Sequence, residues 1–457
     1  MSYLVSDPGR ASAIKLQAMR KAGFKDWENR ASRTERQWAS ASGFEARPGE
    51  VLALPDAEGG IRVVVFGMQE SGWLYQLASI YKTLPPGDYV LDCDWTEDQA
   101  NQASLGWGLA AYFFGRYRKN NEKQRRLHLD EKTGKTVLPL YQAQCLVRDL
   151  VNTPTEHMGP GDLADAVKAE AERFEAGFRV ISGDELLARN FPAIHAVGRA
   201  SASEPRLVEL SWGKPSAPLV ALVGKGVCFD TGGLDLKTSS GMGLMKKDMG
   251  GAAHALALAR LVMEHQLPVR LLLLIPAVEN SVAGNAYRPG DVIATRKGLH
   301  IEIGNTDAEG RVVLSDALAF ACEQSPDLLI DYATLTGAAR VALGADLPPL
   351  FSNDADVSKD MLKAGESRED PMWGMPLYQP YVELIKSPIA DLNNSAKSAY
   401  GGCITAALFL EHFVTPETPW VHIDTFAWNQ SNRAGRPEGG EALGLRAVFS
   451  YLQERYS

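Results

Sequence analysis

Two stretches of the chain set charged side chains among glycines, where a buried core would want none. One is VGKGVCFDTGGLDLKTSSGMGLMKKDMGGAA (223–253), which offers Lys225, Asp230, Lys237 and Asp248. The other is NTDAEGR (305–311), which offers Asp307, Glu309 and Arg311. If the two converge, four carboxylates meet, and crowding of that kind raises carboxylate pKa values and destabilises a fold. Two divalent cations would cancel the charge. Oxygen-rich ligation without cysteine suits Mn²⁺ or Mg²⁺ and also holds Zn²⁺. A pair of such ions roughly 3.5–4 Å apart is a hydrolytic arrangement, sharing an activated water and stabilising developing charge. Gly224 and Gly226 around Lys225, and Gly232–Gly233 after Asp230, let backbone approach a ligand closely. Taken singly, each residue has a plainer reading. Asp248 is a turn or N-cap residue, Asp-x-Glu before a helix is capping and dipole compensation, and the lysines are solvated. Arg311 sits where a helix N-terminus already carries partial positive charge, so it holds either an anion or a salt bridge. The joint pattern, not any one member, argues for a metal site.

Strands and helices must carry these residues to one place. IRVVVFGM (61–68) and GDYVLD (87–92) read as strands, and EDQANQASLGWGLAAYFFGRYR (97–118) has helical spacing. The polar runs RKNNEKQRR (118–126) and DEKTGK (130–135) mark a boundary, and YQAQCLVRDLVN (141–152) a connecting helix. Beyond it, strands at 217–224, 269–278, 327–335 and 420–428 alternate with helices at 250–266, 312–324 and 403–414. The expected fold class is α/β. A smaller N-terminal α/β domain (1–135) and a connecting helix and linker (136–160) precede a larger catalytic domain (161–457), whose mostly parallel central sheet is flanked by helices. Ligands of such sheets bind beyond the carboxyl ends of strands. VGKGVCFD, AVEN, IGNTDAEGR and YATLTGA all stand at strand ends.

Composition narrows the function. The 457 residues are 45% hydrophobic and 23% charged, the profile of a globular chain long enough for two domains. LLLLIPAV (271–278) is the longest apolar run, too short to span a membrane. MSYLVSDPGRASAIK lacks the charged start and apolar centre of a secretory signal, so a cytoplasmic protein is expected. The net charge of −9 gives nucleic-acid binding no support. Five scattered cysteines with no C-x-x-C suit a reducing compartment. There is no P-loop, no H-E-x-x-H, no G-x-S-x-G, and GKGVCF has Phe229 where a dinucleotide fingerprint needs glycine. His254 reads as a packing residue, and HIDTF (422–426) as a buried strand.

NTDAEGR, with VGKGVCFDTGG, DLK and KDMGGAA, resembles the leucyl aminopeptidase family of two-metal cytosolic exopeptidases (M17), over roughly residues 140–455. LVRDLVNTP, YATLTGA, MPL and GGCITAALFL support the resemblance, while residues 1–135 match only in outline. It implies that Lys225, Asp230, Asp248, Asp307 and Glu309 are metal ligands. Asp230 and Glu309 bridge the ions, Lys225 and Asp248 complete the tighter site, and Asp307 the more exchangeable one. Lysine ligates only as the neutral amine, against a reference pKa of about 10.4. It further implies that the metals activate a water, that Lys237 stabilises the oxyanion, and that Arg311 holds a bicarbonate that shuttles protons. The substrate is then a peptide with a free N-terminal amine. By the same resemblance, Met245, Asn305, Thr334 and Gly337 are expected to line a pocket suited to apolar residues such as leucine, and the assembly is expected to be a homohexamer. Three departures stand out: Lys247 before Asp248, Thr238 after Lys237, and NNSAKSAYGG (393–402) in place of a shorter Arg-containing loop. Two alternatives remain open, another two-metal hydrolase and an inactive binding protein on the same fold.

Overall fold

The computed structural model describes residues 3–7 and 13–457. The chain separates into two compact units, residues 1–145 with 431–438, and residues 146–430 with 439–457. Among the described residues no helix is long and apolar enough to cross a membrane.

The first unit is built on β1 (Leu4–Ser6), β2 (Ile14–Met19), β3 (Val51–Pro55), β4 (Ile61–Gly67), β5 (Gly87–Leu91) and β6 (Arg125–Leu129), in the order β1-β6-β5-β2-β4-β3. Only the β3–β4 pair is antiparallel. Leu16, Phe66, Tyr89 and Leu127 pack with Leu77 and Trp107 in its main core. The helix Glu97–Ala111 opens on a capping box formed by Thr96 and Gln99 and stops short of the expected Arg118. Its Gly106 is obligatory: a Cβ there would lie 1.7 Å from the Leu74 carbonyl oxygen. DEKTGK reads as a boundary in the sequence but is a helix start. Asp130 accepts the Thr133 N–H at 2.9 Å, and the helix Glu131–Asn152 continues past Pro139 and through the point where the units part. Its charges are capping and an i,i+4 pair between Glu131 and Lys135. The return of residues 431–438 to this unit has no sequence signal.

The second unit contains β7 (Gly177–Ser182), β8 (Arg206–Trp212), β9 (Leu219–Gly224), β10 (Gly226–Asp230), β11 (Arg270–Asn280), β12 (Val292–Ala294), β13 (His300–Glu302), β14 (Leu328–Ala333), β15 (Pro349–Ser352), β16 (Trp373–Gly374), β17 (Leu392–Asn393) and β18 (Trp420–Asp424). Its large sheet runs β16-β15-β18-β14-β9-β11-β8-β7, with β10 on β11. The centre, β18-β14-β9-β11, is parallel. Every residue of β9, β14 and β18 is buried, as a parallel sheet covered on both faces requires. Those strands still contain polar side chains. Asp331 accepts from His422 Nδ1 at 2.6 Å and from Trp420 Nε1 at 2.7 Å, which satisfies it in mid-sheet. Burial lowers the His422 pKa, but the Asp331 charge outweighs that and leaves it raised.

One strand end is misplaced in the sequence reading. The strand before NTDAEGR, β13, does not join the large sheet. It pairs with β12 and β17 in a separate three-stranded sheet, with Ile301 opposite Leu392 and Glu302 opposite Asn393. The apolar run is only three residues as a strand, too short to carry that information.

The helix Gly250–Glu264 starts against β14, and a Cβ on Gly251 would sit 2.2 Å from the Tyr332 carbonyl oxygen. Helix propensity alone favours Gly251→Ala by about 1 kcal/mol. The contact dictates the opposite sign, a loss of about 1–3 kcal/mol from overpacking, readable as a lower urea midpoint.

Candidate active site

Lys225 occupies the single position between β9 and β10, where its N–H donates to Tyr332 O and its carbonyl accepts from Ala252. Asp230 ends β10. Asp248 lies in the 3₁₀ segment Met245–Met249, just ahead of the helix Gly250–Glu264. Asp307 is in the loop after β13, and Glu309 opens the helix Glu309–Glu323. Glycines make the approach feasible. A Cβ at Gly310 would meet Lys225 Cε at 2.5 Å, so the lysine lies against the first turn of that helix only because residue 310 has no side chain. Gly232 and Gly233, with φ of +87° and +65°, turn the chain back behind Asp230.

The two lysines each bridge two carboxylates. Lys225 Nζ lies 2.6 Å from Asp248 Oδ2, 2.9 Å from Glu309 Oε1 and 3.0 Å from the Thr334 carbonyl oxygen. Lys237 Nζ lies 2.8 Å from Asp230 Oδ2 and also pairs with Asp307. Oxygens of Asp230, Asp307 and Glu309 fall within 4.8 Å of one another. Asp248 joins this group through Lys225.

Electrostatics follow from burial. Burial, reinforced by Asp248, raises the Asp230 pKa to about 6 against the pull of Lys237 and Lys225. Burial and Asp230 raise Glu309 to about 8, opposed by Lys225. Burial works the same way on Asp248, but Lys225 and Lys247 outweigh it and leave the pKa lowered. Burial disfavours the Lys225 ammonium, yet Asp248 and Glu309 raise its pKa above the ordinary lysine value. Lys237 is likewise raised, with Asp230 overcoming burial.

Four carboxylates meet Lys225 and Lys237, with Lys247 at 3.6 Å from Asp248 Oδ1 as a more distant third cation, so with the acids ionised the group keeps a surplus of negative charge. Asp248 Oδ2, Asp307 Oδ1 and Glu309 Oε1 are buried and, although within ion-pair distance of a lysine, are aligned with no hydrogen-bond donor. Buried acceptors of this kind normally find partners. Acceptors left over, clustered, and carrying surplus negative charge fit divalent cations.

A second set of residues locks the two acidic stretches together. Thr306 Oγ1 lies 2.6 Å from Gly232 O and accepts from Asp235 N at 2.8 Å, and its N–H donates to Asp235 Oδ2. Asn280, at the end of β11, donates to Asp230 Oδ1 at 2.8 Å and to Thr306 O at 3.0 Å, and the Tyr287 hydroxyl also donates to Thr306 O. Asn394 Oδ1 accepts from Gly304 and Asn305 N–H, and its Nδ2 donates to Asn305 O. Sequence reasoning missed these residues. AVEN was flagged only as a strand end, and Asn394 belongs to the loop noted only as a departure.

Arg311 is buried and donates from Nη1 to Asn394 O at 2.8 Å, while its Nε has no partner. Burial brings its pKa down to about 10, opposed by Glu309 and Asp424, so it is charged at neutral pH. His254 is a packing residue: it contacts Gly250 O through Nδ1 and Leu443 N through Nε2.

Beside the carboxylates is a cleft lined by Lys225, Lys237, Met245, Asp248, Thr334 and Gly337. The Thr334 hydroxyl is 2.9 Å from Asp248 Oδ1. Asn305 is outside this lining: its Oδ1 accepts the Asp307 N–H at 2.7 Å and shapes the loop. Lys247, Arg340, Asp424 and Phe426 line the cleft as well. Burial lowers the Lys247 pKa, with Asp248 opposing.

Residues 145–449 match the cytosol aminopeptidase family, catalytic domain, and residues 14–130 match the M17 aminopeptidase, N-terminal domain. The chain belongs to the M17 cytosol aminopeptidase family. It is 41% identical over 314 residues to a probable cytosol aminopeptidase of Roseiflexus castenholzii, a match covering 68% of this chain and 64% of that protein. With a probable cytosol aminopeptidase of Chlorobium limicola it shares 42% identity over 316 residues, covering 68% of this chain and 62% of that protein. The matched stretch thus spans less than two thirds of either relative. A crystal structure of a cytosol aminopeptidase from Coxiella burnetii superposes with a TM-score of 0.96 at 48% identity, over 99% of both chains. The bottromycin maturation enzyme BotP, solved in complex with Mn, superposes at 0.87 with 32% identity, over 98% of this chain and 100% of that one. Membership includes the N-terminal unit, which the sequence matched only in outline.

Added Mn²⁺ should raise the melting temperature of this M17 protein, since a ligand that binds only the folded state stabilises it. Glu309→Gln should abolish most of that rise, as thermal-shift titration would reveal. An equal rise in the variant would exclude Glu309 as a ligand.

Proposed function

We propose that the protein is a metal-dependent aminopeptidase that hydrolyses N-terminal residues from peptides. The observation that carries this reading is the convergence of four carboxylates from distant parts of the chain around two lysines, next to a cleft. Asp230, Asp248, Asp307 and Glu309 would hold two divalent ions, Mn²⁺ or Zn²⁺ with Mg²⁺ as a third option, and Lys225 would join them on losing the proton that Asp248 and Glu309 stabilise on it. Bound there, the ions would supply an acidified water and a counter-charge to a developing oxyanion.

The protein's own groups do the rest. Lys237, raised in pKa and only 15% exposed along its side chain, carries a persistent positive charge at the cleft. It donates to the oxygen that becomes negative as the peptide carbonyl is attacked, a preorganised electrostatic role. Arg311, with its unpartnered Nε, is suited to an anion such as bicarbonate, which would serve as proton acceptor and donor. Asp248 borders the cleft, where a free α-amine can approach it, and this restricts cleavage to the first peptide bond. Met245, Thr334 and Gly337 line the space for the substrate, and Asn305 shapes the Asp307 loop beside it. Cytoplasmic location and a homohexamer complete the reading, on the strength of the family resemblance.

A panel of aminoacyl p-nitroanilides tests the activity. At least one should be cleaved, chelator should stop cleavage, and Mn²⁺ or Zn²⁺ should restore it, whereas N-acetylated versions should be refused. Lys237→Ala should lower kcat by about 10²- to 10³-fold. Refusal of every aminoacyl substrate by metal-loaded protein would end the proposal.

A further inference from the structure

Lys247 and Arg340 reach the cleft from different elements and share one aromatic ring. Lys247 belongs to the 3₁₀ segment Met245–Met249 and Arg340 to the helix Gly337–Leu343. Lys247 Nζ lies 5.3 Å from the centre of the Phe426 ring, and the Arg340 guanidinium carbon lies 4.4 Å from the same point. The guanidinium folds back over the helix start, since a Cβ on Gly337 would be 3.4 Å from Arg340 Nη2. All four of these residues line the cleft beside Asp248.

Neither cation is well neutralised. Among the described residues Lys247 has one ion-pair neighbour, Asp248 Oδ1 at 3.6 Å. That carboxylate is already engaged by Lys225 at 2.6 Å and by the Thr334 hydroxyl. Arg340 has no carboxylate within ion-pair distance among the described residues, and its recorded side-chain partner is the Phe426 ring. Asp424, the cleft's other acid, is committed elsewhere: it accepts from the N–H groups of Leu335 and Thr336 and from the Thr336 hydroxyl. An apolar side chain entering this space would meet Met245, Leu347 and Phe426 but would take water from two cations without pairing either. A carboxylate would pair with both, and the aromatic face would cover the methylene stem leading to it.

We propose that the cleft selects an N-terminal residue with a carboxylate side chain, glutamate or aspartate, held by Arg340 and Lys247 over Phe426. This rests on the aminopeptidase reading and narrows its substrate class, in place of the apolar preference that the family resemblance implies. Lys247 and Arg340 are specificity residues here.

The experiment compares kcat/KM of the full-length, Mn²⁺-loaded protein on glutamyl, aspartyl, glutaminyl and leucyl p-nitroanilides. The glutamyl substrate should exceed the leucyl and the uncharged glutaminyl one by at least tenfold. Arg340→Ala and Lys247→Met should each reduce the glutamyl-to-leucyl ratio at least tenfold. Free L-glutamate should raise the wild-type melting temperature more than L-glutamine does, and Arg340→Ala should erase the difference, a readout independent of turnover. If the buried Lys247→Met variant fails to fold, the exposed Arg340 position decides. Leucyl cleavage equal to or faster than glutamyl cleavage in the wild type would overturn the selectivity while leaving the aminopeptidase reading intact. A ratio unchanged in Arg340→Ala would do the same. Refusal of every substrate would remove both.

Discussion

Four carboxylates and two ammonium groups, all but Asp307 and Lys237 fully buried, impose the constraint on which the rest of the catalytic unit depends. Each lysine is shared by two acids, Lys225 by Asp248 and Glu309, and Lys237 by Asp230 and Asp307. Buried charges persist only when paired, and one-for-two pairing leaves a deficit of positive charge. Burial and that deficit together drive Asp230 and Glu309 toward protonation, while Lys225 and Lys247 hold Asp248 ionised.

Such a cluster would push itself apart unless the backbone around it were held. Thr306 and Asn280 do this with hydrogen bonds between the two acidic stretches, and Tyr287 and Asn394 hold the second stretch from outside, all with neutral groups that add no charge. Glycines at 232, 233 and 310 provide the room. The result is a braced set of acceptors, the preorganisation that electrostatic catalysis needs.

The cleft next to it has the opposite polarity. Within one short stretch the chain places Asp248 in the acidic cluster and Lys247 over Phe426, facing the cleft. A substrate carrying a positive amine and a negative side chain matches both signs at once. The departure that Lys247 represents in the sequence therefore bears on recognition as well as on the metal centre.

The sequence by itself determined the residue types and the parallel α/β plan. Strands buried on both faces are written as short, mostly apolar runs, and carboxylates among glycines stand apart from them, so β9, β14, β18 and the two acidic stretches were legible. The helix start at Asp130, the small sheet that carries β13, and the return of residues 431–438 were not, because short polar segments look alike whether they cap, pair or link. Only the tertiary structure decided that Asn280 and Asn394 brace the acids, that Asn305 faces its own loop, and that Arg340 shares a ring with Lys247. An asparagine or arginine acquires its role from the partners it meets, and those partners lie as many as 90 positions away in the chain, as with Asn394 and Gly304.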